Sequence, residues 1–206
     1  MNLNHFGYDF FAEAPSTFAS TKKFFVPDNY LIGPGDVIKI VLFGNRNNRY
    51  ELEVSNEGEI LVPGIGPVSA SGLSFEAFKK LITETISAQF IGTSASVTLG
   101  QLRSINIFVL GDAMNPGMYT VSALTTMTNA IFTNGGIKTT GSLRNIQLKR
   151  NGNIISTIDF YDLLLNGDTS GDISLQEGDV VFIPPIKKTA AISGEDNRPQ
   201  IFELIE

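Results

Sequence analysis

The chain has 206 residues, a net charge of −6, one histidine, no tryptophan and no cysteine. Without cysteine there are no disulfides, no thiolate chemistry and no cysteine-bound zinc, and the acidic balance argues against nucleic acid as a partner. The chain is 42% hydrophobic, enough for an ordinary core, but it has no apolar run near the ~20 residues that span a bilayer.

Twenty glycines and nine prolines suit a β-rich protein with many turns. Residues 1–29 carry Phe6, Tyr8, Phe10, Phe11, Phe18, Phe24 and Phe25 without a regular period. Pro15 and Pro27 oppose long helices there. No leader of basic residues followed by an apolar stretch is visible. An extended arm lying across a folded domain is the expectation.

Gly33-Pro34-Gly35-Asp36 predicts a tight turn, and Val37–Leu42 a strand. Asn45–Arg49 is a polar turn, and Glu51–Val54 is the next strand. Asn56-Glu57-Gly58 turns into Ile60–Val62. Pro63–Val68 reads as a glycine-punctuated loop. Ser74 is a helix N-cap, followed by the apolar stripe Phe75, Phe78, Leu81, Ile82 and Ile86. Ala95–Leu99 is a further strand. Phe75, Phe78 and Phe108 sit at core periodicity.

The segment Ile105–Gly136 is a compact supersecondary unit. Ile105, Ile107 and Val109 alternate as a half-buried strand. Gly111, Asp112, Asn115, Pro116 and Gly117 form a turn, and Met118–Val121 a return strand. Ser122 is placed to cap a helix over Leu124–Thr133, which Asn134-Gly135-Gly136 ends. Leu143–Arg150 and Ile154–Ile158 flank Asn151-Gly152, a two-residue hairpin signal. Phe160–Leu165 is a short helix. Gln176-Glu177-Gly178-Asp179 turns into the strand Val180–Ile183, which Pro184-Pro185 ends.

The hairpin recurs near the end of the chain. Gly111 and Pro116 have the spacing of Gly194 and Pro199. Asp112 and Glu195 follow the glycines, and Tyr119 and Phe202 sit three after the prolines. A repeat cut off in its first hairpin predicts a piece of a longer protein. Ala191-Ile192 and Ile201-Phe202 would then expose apolar strand edges, which natural proteins avoid. The aromatic arm is the expected cover, with pairing to a neighbouring chain as the alternative.

These motifs resemble the Wza-type bacterial polysaccharide export proteins. Tyr30-x-x-Gly33-Pro34-Gly35-Asp36, with Ile40, Phe43 and Gly44, is similar to the family's opening signature. Glu57-Gly58, Pro63, Gly66, Gly72 and Ser74 continue it. The β-grasp module for soluble ligands is matched by Gly111-Asp112, Pro116-Gly117, Tyr119, Gly135-Gly136, Arg150, Gly152, Gly178-Asp179 and Pro184. The resemblance implies an α+β, β-rich fold in four parts. These are an arm (1–29), an export-signature domain (30–103), a β-grasp module (104–187) and the first hairpin of a truncated second module (188–206). It further implies a periplasmic, outer-membrane-associated, non-catalytic conduit for capsular polysaccharide or exopolysaccharide. Such proteins assemble as rings of their own copies, with an inner-membrane polysaccharide co-polymerase as a further partner. The chain departs from the pattern in lacking the lipid-anchor cysteine and the amphipathic outer-membrane helix. The alternative is a β-grasp module that binds a soluble small ligand and has no conduit role.

No catalytic, cofactor or metal site is expected. His5 stands alone. Asp159, Asp162, Asp168 and Asp172 lack a calcium-loop spacing, and neither glycine cluster is a phosphate loop. Asp36 and Asp179 are expected to accept backbone N–H bonds in their turns. Gly33, Pro34, Gly35, Gly111, Pro116, Gly117, Gly135, Gly136 and Gly178 are expected to be structural, and Gly117→Val to cost stability if that glycine has positive φ. Arg103, Arg144 and Arg150 are the candidates to face an acidic polymer.

Overall fold

The structure is a computed structural model that describes residues 3–11, 26–194 and 199–205. Pro15, Phe18, Phe24, Phe25 and Glu195 lie outside the described residues. The chain divides into two compact units. One runs to Ser104; the other joins the first residues to everything from Ile105 onward.

In the first of these, β1 (Val37–Gly44) lies between β2 (Asn48–Glu53) and β5 (Thr93–Leu99), antiparallel to both. The alternation of β1 buries Ile38, Ile40 and Leu42. The helix α1 (Phe75–Gln89) packs on β5 and buries Phe75, Phe78, Ile82 and Ile86. Ser74 caps it, its hydroxyl accepting the Ala77 N–H at 3.2 Å. A second antiparallel pair is β3 (Glu59–Val62) with β4 (Gly66–Ser69). The expected loop over Pro63–Val68 is therefore half strand: Leu61 pairs with Pro67 and Val62 with Gly66. Residues 27–29, expected in the arm, belong to this unit, where Asp28 O accepts the Glu76 N–H.

The second unit is a mixed five-stranded sheet in the order β7-β6-β10-β8-β9. Its strands are β6 (Ser104–Gly111), β7 (Gly117–Ser122), β8 (Ile146–Arg150), β9 (Asn153–Ile158) and β10 (Val180–Ile183). The first strand β6 and the last strand β10 run parallel at the centre. Ile105, Ile107 and Val109 from β6 and Val181 and Ile183 from β10 are buried with Met127, Ala130 and Ile131 of α2 (Met127–Thr133). This is the β-grasp arrangement, and the α+β, β-rich class holds for the whole chain. Asn151 and Gly152 both take positive φ, 50° and 81°, the turn that Asn-Gly favours. The helix α3 (Phe160–Asn166) follows β9, capped by Asp159.

Two expectations are corrected here. The α2 cap is Thr126, not Ser122, because Leu175 N–H bonds Thr125 O and Thr126 bridges to Ser174, while a turn closed by Thr125 N–H on Ser122 O takes up Ala123 and Leu124. Phe108 is not core. Ile107 and Val109 point inward, so strand alternation turns Phe108 outward, 38% exposed.

The tail forms β11 (Thr189–Ala191) and β12 (Ile201–Glu203), an antiparallel pair. Residues 3–11 cover it. His5 bridges Ile201 in parallel register, with Phe6 N–H to Ile201 O and Ile201 N–H to Asn4 O, both at 2.9 Å. Phe6 stacks on Phe202 and tilts against Tyr161. Tyr8–Phe11 then makes one 3-10 turn whose Phe11 packs on Phe132 and Phe160. The arm is thus partly helical rather than extended throughout.

Candidate functional site

The two Gly-Asp turns have the same construction. Gly35 (φ 89°) and Gly178 (φ 79°) take left-handed backbone, each just before its aspartate. Asp36 N–H bonds Gly33 O, and Asp179 N–H bonds Gln176 O, both at 3.1 Å. In return the carboxylates accept the N–H groups of Gly33 (2.9 Å) and Gln176 (2.8 Å). Both aspartates have no exposed surface. A buried carboxylate needs a counter-charge, and an arginine supplies it in each turn.

Arg103 sets its Nη1 2.7 Å from Asp36 Oδ2 and its backbone N–H 2.9 Å from Oδ1. Tyr30 donates its hydroxyl to the same carboxylate and accepts from Arg103 Nη1 at 2.8 Å. Burial first, then the charge of Asp36, raises the Tyr30 phenol well above its ordinary pKa. Gly33 gives Arg103 room: a Cβ there would lie 2.8 Å from the guanidinium carbon. Arg150 grips Asp179 bidentately, Nε to Oδ1 at 2.7 Å and Nη2 to Oδ2 at 2.8 Å. That pair raises the pKa of Arg150.

Arg144 is also paired. Its Nε lies 3.0 Å from Asp159 Oδ2, and its guanidinium covers the Tyr161 ring at 4.5 Å. Next to it Glu203, buried at the end of β12, accepts from Ser142 Oγ (2.6 Å) and Leu143 N–H (2.9 Å). The Glu203 N–H in turn donates to Tyr161 Oη at 2.7 Å. This latch fixes the tail to the β-grasp sheet, and sequence reasoning missed it. The available signal was one carboxylate inside the apolar run Ile201-Phe202-Glu203-Leu204-Ile205.

Each candidate arginine therefore closes an ion pair with its own chain, and Asp36 and Asp179 are buried with their oxygens filled by donors. Asp159 caps α3, Asp172 accepts the Thr128 N–H and Asp168 the Ser170 N–H. Among the described residues no group of three or more histidines, aspartates or glutamates is placed to hold a metal ion. No helix among them is long and apolar enough to cross a membrane.

The hairpin motif is tied to the double glycine. Met114 N–H bonds Gly136 O, and Asn115 and Asn134 bond each other's backbone carbonyl through their side-chain amides. Gly111 (φ 83°) lies against β10, so an added Cβ would fall on Ile183 O. A Cβ on Gly136 (φ 97°) would overlap Phe11. Gly117 differs from expectation: it has no positive φ, and only Tyr119 comes near, at 3.9 Å. A residue that starts β7 needs extended backbone, not a left-handed turn.

Both units match known domain families. Residues 26–100 match the polysaccharide biosynthesis/export protein family, and residues 106–183 the SLBB domain. The chain carries these two domains in that order. It is 29% identical over 184 residues to the polysialic acid transport protein KpsD of Escherichia coli, covering 88% of this chain and 33% of that protein. It is 24% identical over 196 residues to the EPS I polysaccharide export outer membrane protein EpsA of Ralstonia solanacearum, covering 82% of this chain and 52% of that one. The chain thus spans about a third to a half of the curated relatives it matches.

Proposed function

We propose that this chain is the periplasmic part of an outer-membrane export conduit for capsular polysaccharide or exopolysaccharide. It works without catalysis, as a ring of its own copies, and it receives polymer from an inner-membrane co-polymerase. The observation that carries this reading is the export domain followed by the SLBB domain, aligned over 88% of the chain with a polysialic acid transport protein. The saturated carboxylates support a passive role, since Asp36 and Asp179 hold the fold instead of meeting a glycan. Arg103, Arg144 and Arg150 would touch a polymer only through the guanidinium edges left by their ion pairs.

Deletion of the gene tests the function: surface polysaccharide should disappear while polymer accumulates inside the cell. Normal surface polymer would overturn the proposal. Electron microscopy of the protein in detergent should show rings, and uniform single copies would remove that part. Incubation with capsular glycan should release no new reducing ends.

A further inference from the structure

Arg46 and Arg49, two arginines outside these ion pairs, lie elsewhere, at one end of the 26–104 unit. Three turns meet there. Asn45 donates its backbone N–H to Gly92 O and its amide to Ile91 O, joining the β1–β2 turn to the α1–β5 turn. Arg46 covers the Phe90 ring at 3.9 Å, and Gly64 of the β3–β4 turn comes close enough that a Cβ would lie 3.1 Å from that ring. Residues 43–49 are all exposed.

The charge of this end is unlike the rest of the chain. Stretches 43–50, 62–66 and 89–96 contain two charged residues, Arg46 and Arg49, and no carboxylate, in a chain of net charge −6. Neither arginine has an ion-pair partner among the described residues. Glu51, two residues along the strand from Arg49, pairs with Lys39 instead. Between the two arginines in the chain, exposed Asn47 donates its amide to Gly44 O and exposed Asn48 to Tyr50 Oη.

We infer that this tip contacts an acidic polysaccharide, with Arg46 and Arg49 binding its carboxylates. Guanidinium matches carboxylate bidentately, and stacking on Phe90 holds Arg46 ready at little entropic cost. Exposed amides between them suit the hydroxyls that separate the charges of a sugar polymer. Two cations are too few for the dense phosphates of a nucleic acid, where binding draws on roughly 6–10 contacts. This assignment rests on the export reading and names the class of polymer.

The test is titration calorimetry of the 206-residue chain with a galacturonic acid octamer as probe. Saturable binding is expected, with a neutral malto-octaose at least about tenfold weaker. The double variant R46Q/R49Q should weaken octamer binding by about tenfold or more. K79Q/K80Q, the same charge change on the exposed face of α1, should leave it within about twofold. No binding, equal loss in both double variants, equal affinity for the neutral sugar, or equal affinity for a DNA octamer would each overturn the inference. A deletion strain separates the two readings. If export needs the gene but the octamer does not bind, the conduit stands and the tip falls. If export does not need the gene, the conduit reading falls whatever the octamer does.

Discussion

Asp36 and Asp179 sit in turns of the same build and are closed differently. Each follows a left-handed glycine, accepts the N–H three residues back and starts a central strand. Asp36 then draws in Tyr30 and both the backbone and side chain of Arg103, tying the two ends of its unit. Asp179 has one bidentate arginine, which ties β10 to its neighbour β8. Local sequence builds the turn; the distant arginine decides what the turn holds together. Asp36 fastens a whole unit, and Asp179 fastens one edge of a strand pair.

Asp36→Ala carries the largest expected effect. It leaves the Arg103 charge, the Tyr30 hydroxyl and the Gly33 N–H without their acceptor, at a loss of about 3–5 kcal/mol. Urea denaturation followed by circular dichroism measures it. Asp179→Ala should cost less, about 2–4 kcal/mol, because it strands only the Arg150 guanidinium and the Gln176 N–H, with no tyrosine hydroxyl and no second backbone N–H. Equal losses in the two variants would break the distinction. Below these comes the backbone share of the motif. Gly111→Ala should cost about 1–3 kcal/mol, from positive φ and the clash with Ile183 O. Gly117→Ala should stay within about 0.5 kcal/mol. A large loss at Gly117 would refute the extended backbone assigned to it.

Most of the framework was legible in the residues. Alternation in Ile105, Ile107 and Val109, the helical stripe from Phe75 to Ile86 and the Asn-Gly hairpin each have a local cause, so local reading finds them. The polar partnerships were not legible. Arg103 lies 67 residues from Asp36 and Arg150 lies 29 from Asp179, and no spacing rule joins them. An arginine seen alone on a strand looks solvent-facing, which makes all three candidates look free to meet a polymer. Their carboxylates are brought close only by the fold. Thr126 took the cap from Ser122 for a similar reason: pairing with Ser174 and Leu175 is nonlocal. In the sequence Arg46 and Arg49 look like any polar turn, because their distinction is the absence of an ion-pair partner among the described residues.

A further effect separates the two turns by pH. Tyr30 belongs to the Asp36 turn, and among the described residues no tyrosine hydrogen-bonds to Asp179. In the folded chain the Tyr30 phenol keeps its proton beyond the ordinary value of 10.0, through burial, the Asp36 charge and their hydrogen bond, with Arg103 opposing in part. The unfolded chain gives up that proton first. Its stabilising contribution is therefore complete below about pH 10 and declines as pH rises from there toward the folded-state value. Tyr8 and Tyr161, also raised by burial, add the same slope from the other unit. Tyr30→Phe should cost about 1 kcal/mol at neutral pH, through the lost hydrogen bonds. It should also flatten the fall in stability between about pH 9 and pH 11, since one of the raised phenols is gone. Asp179→Asn should leave that slope as it was. Unfolding free energies at the two pH values decide it: an unchanged slope in Tyr30→Phe would show that the phenol is not held by the Asp36 turn.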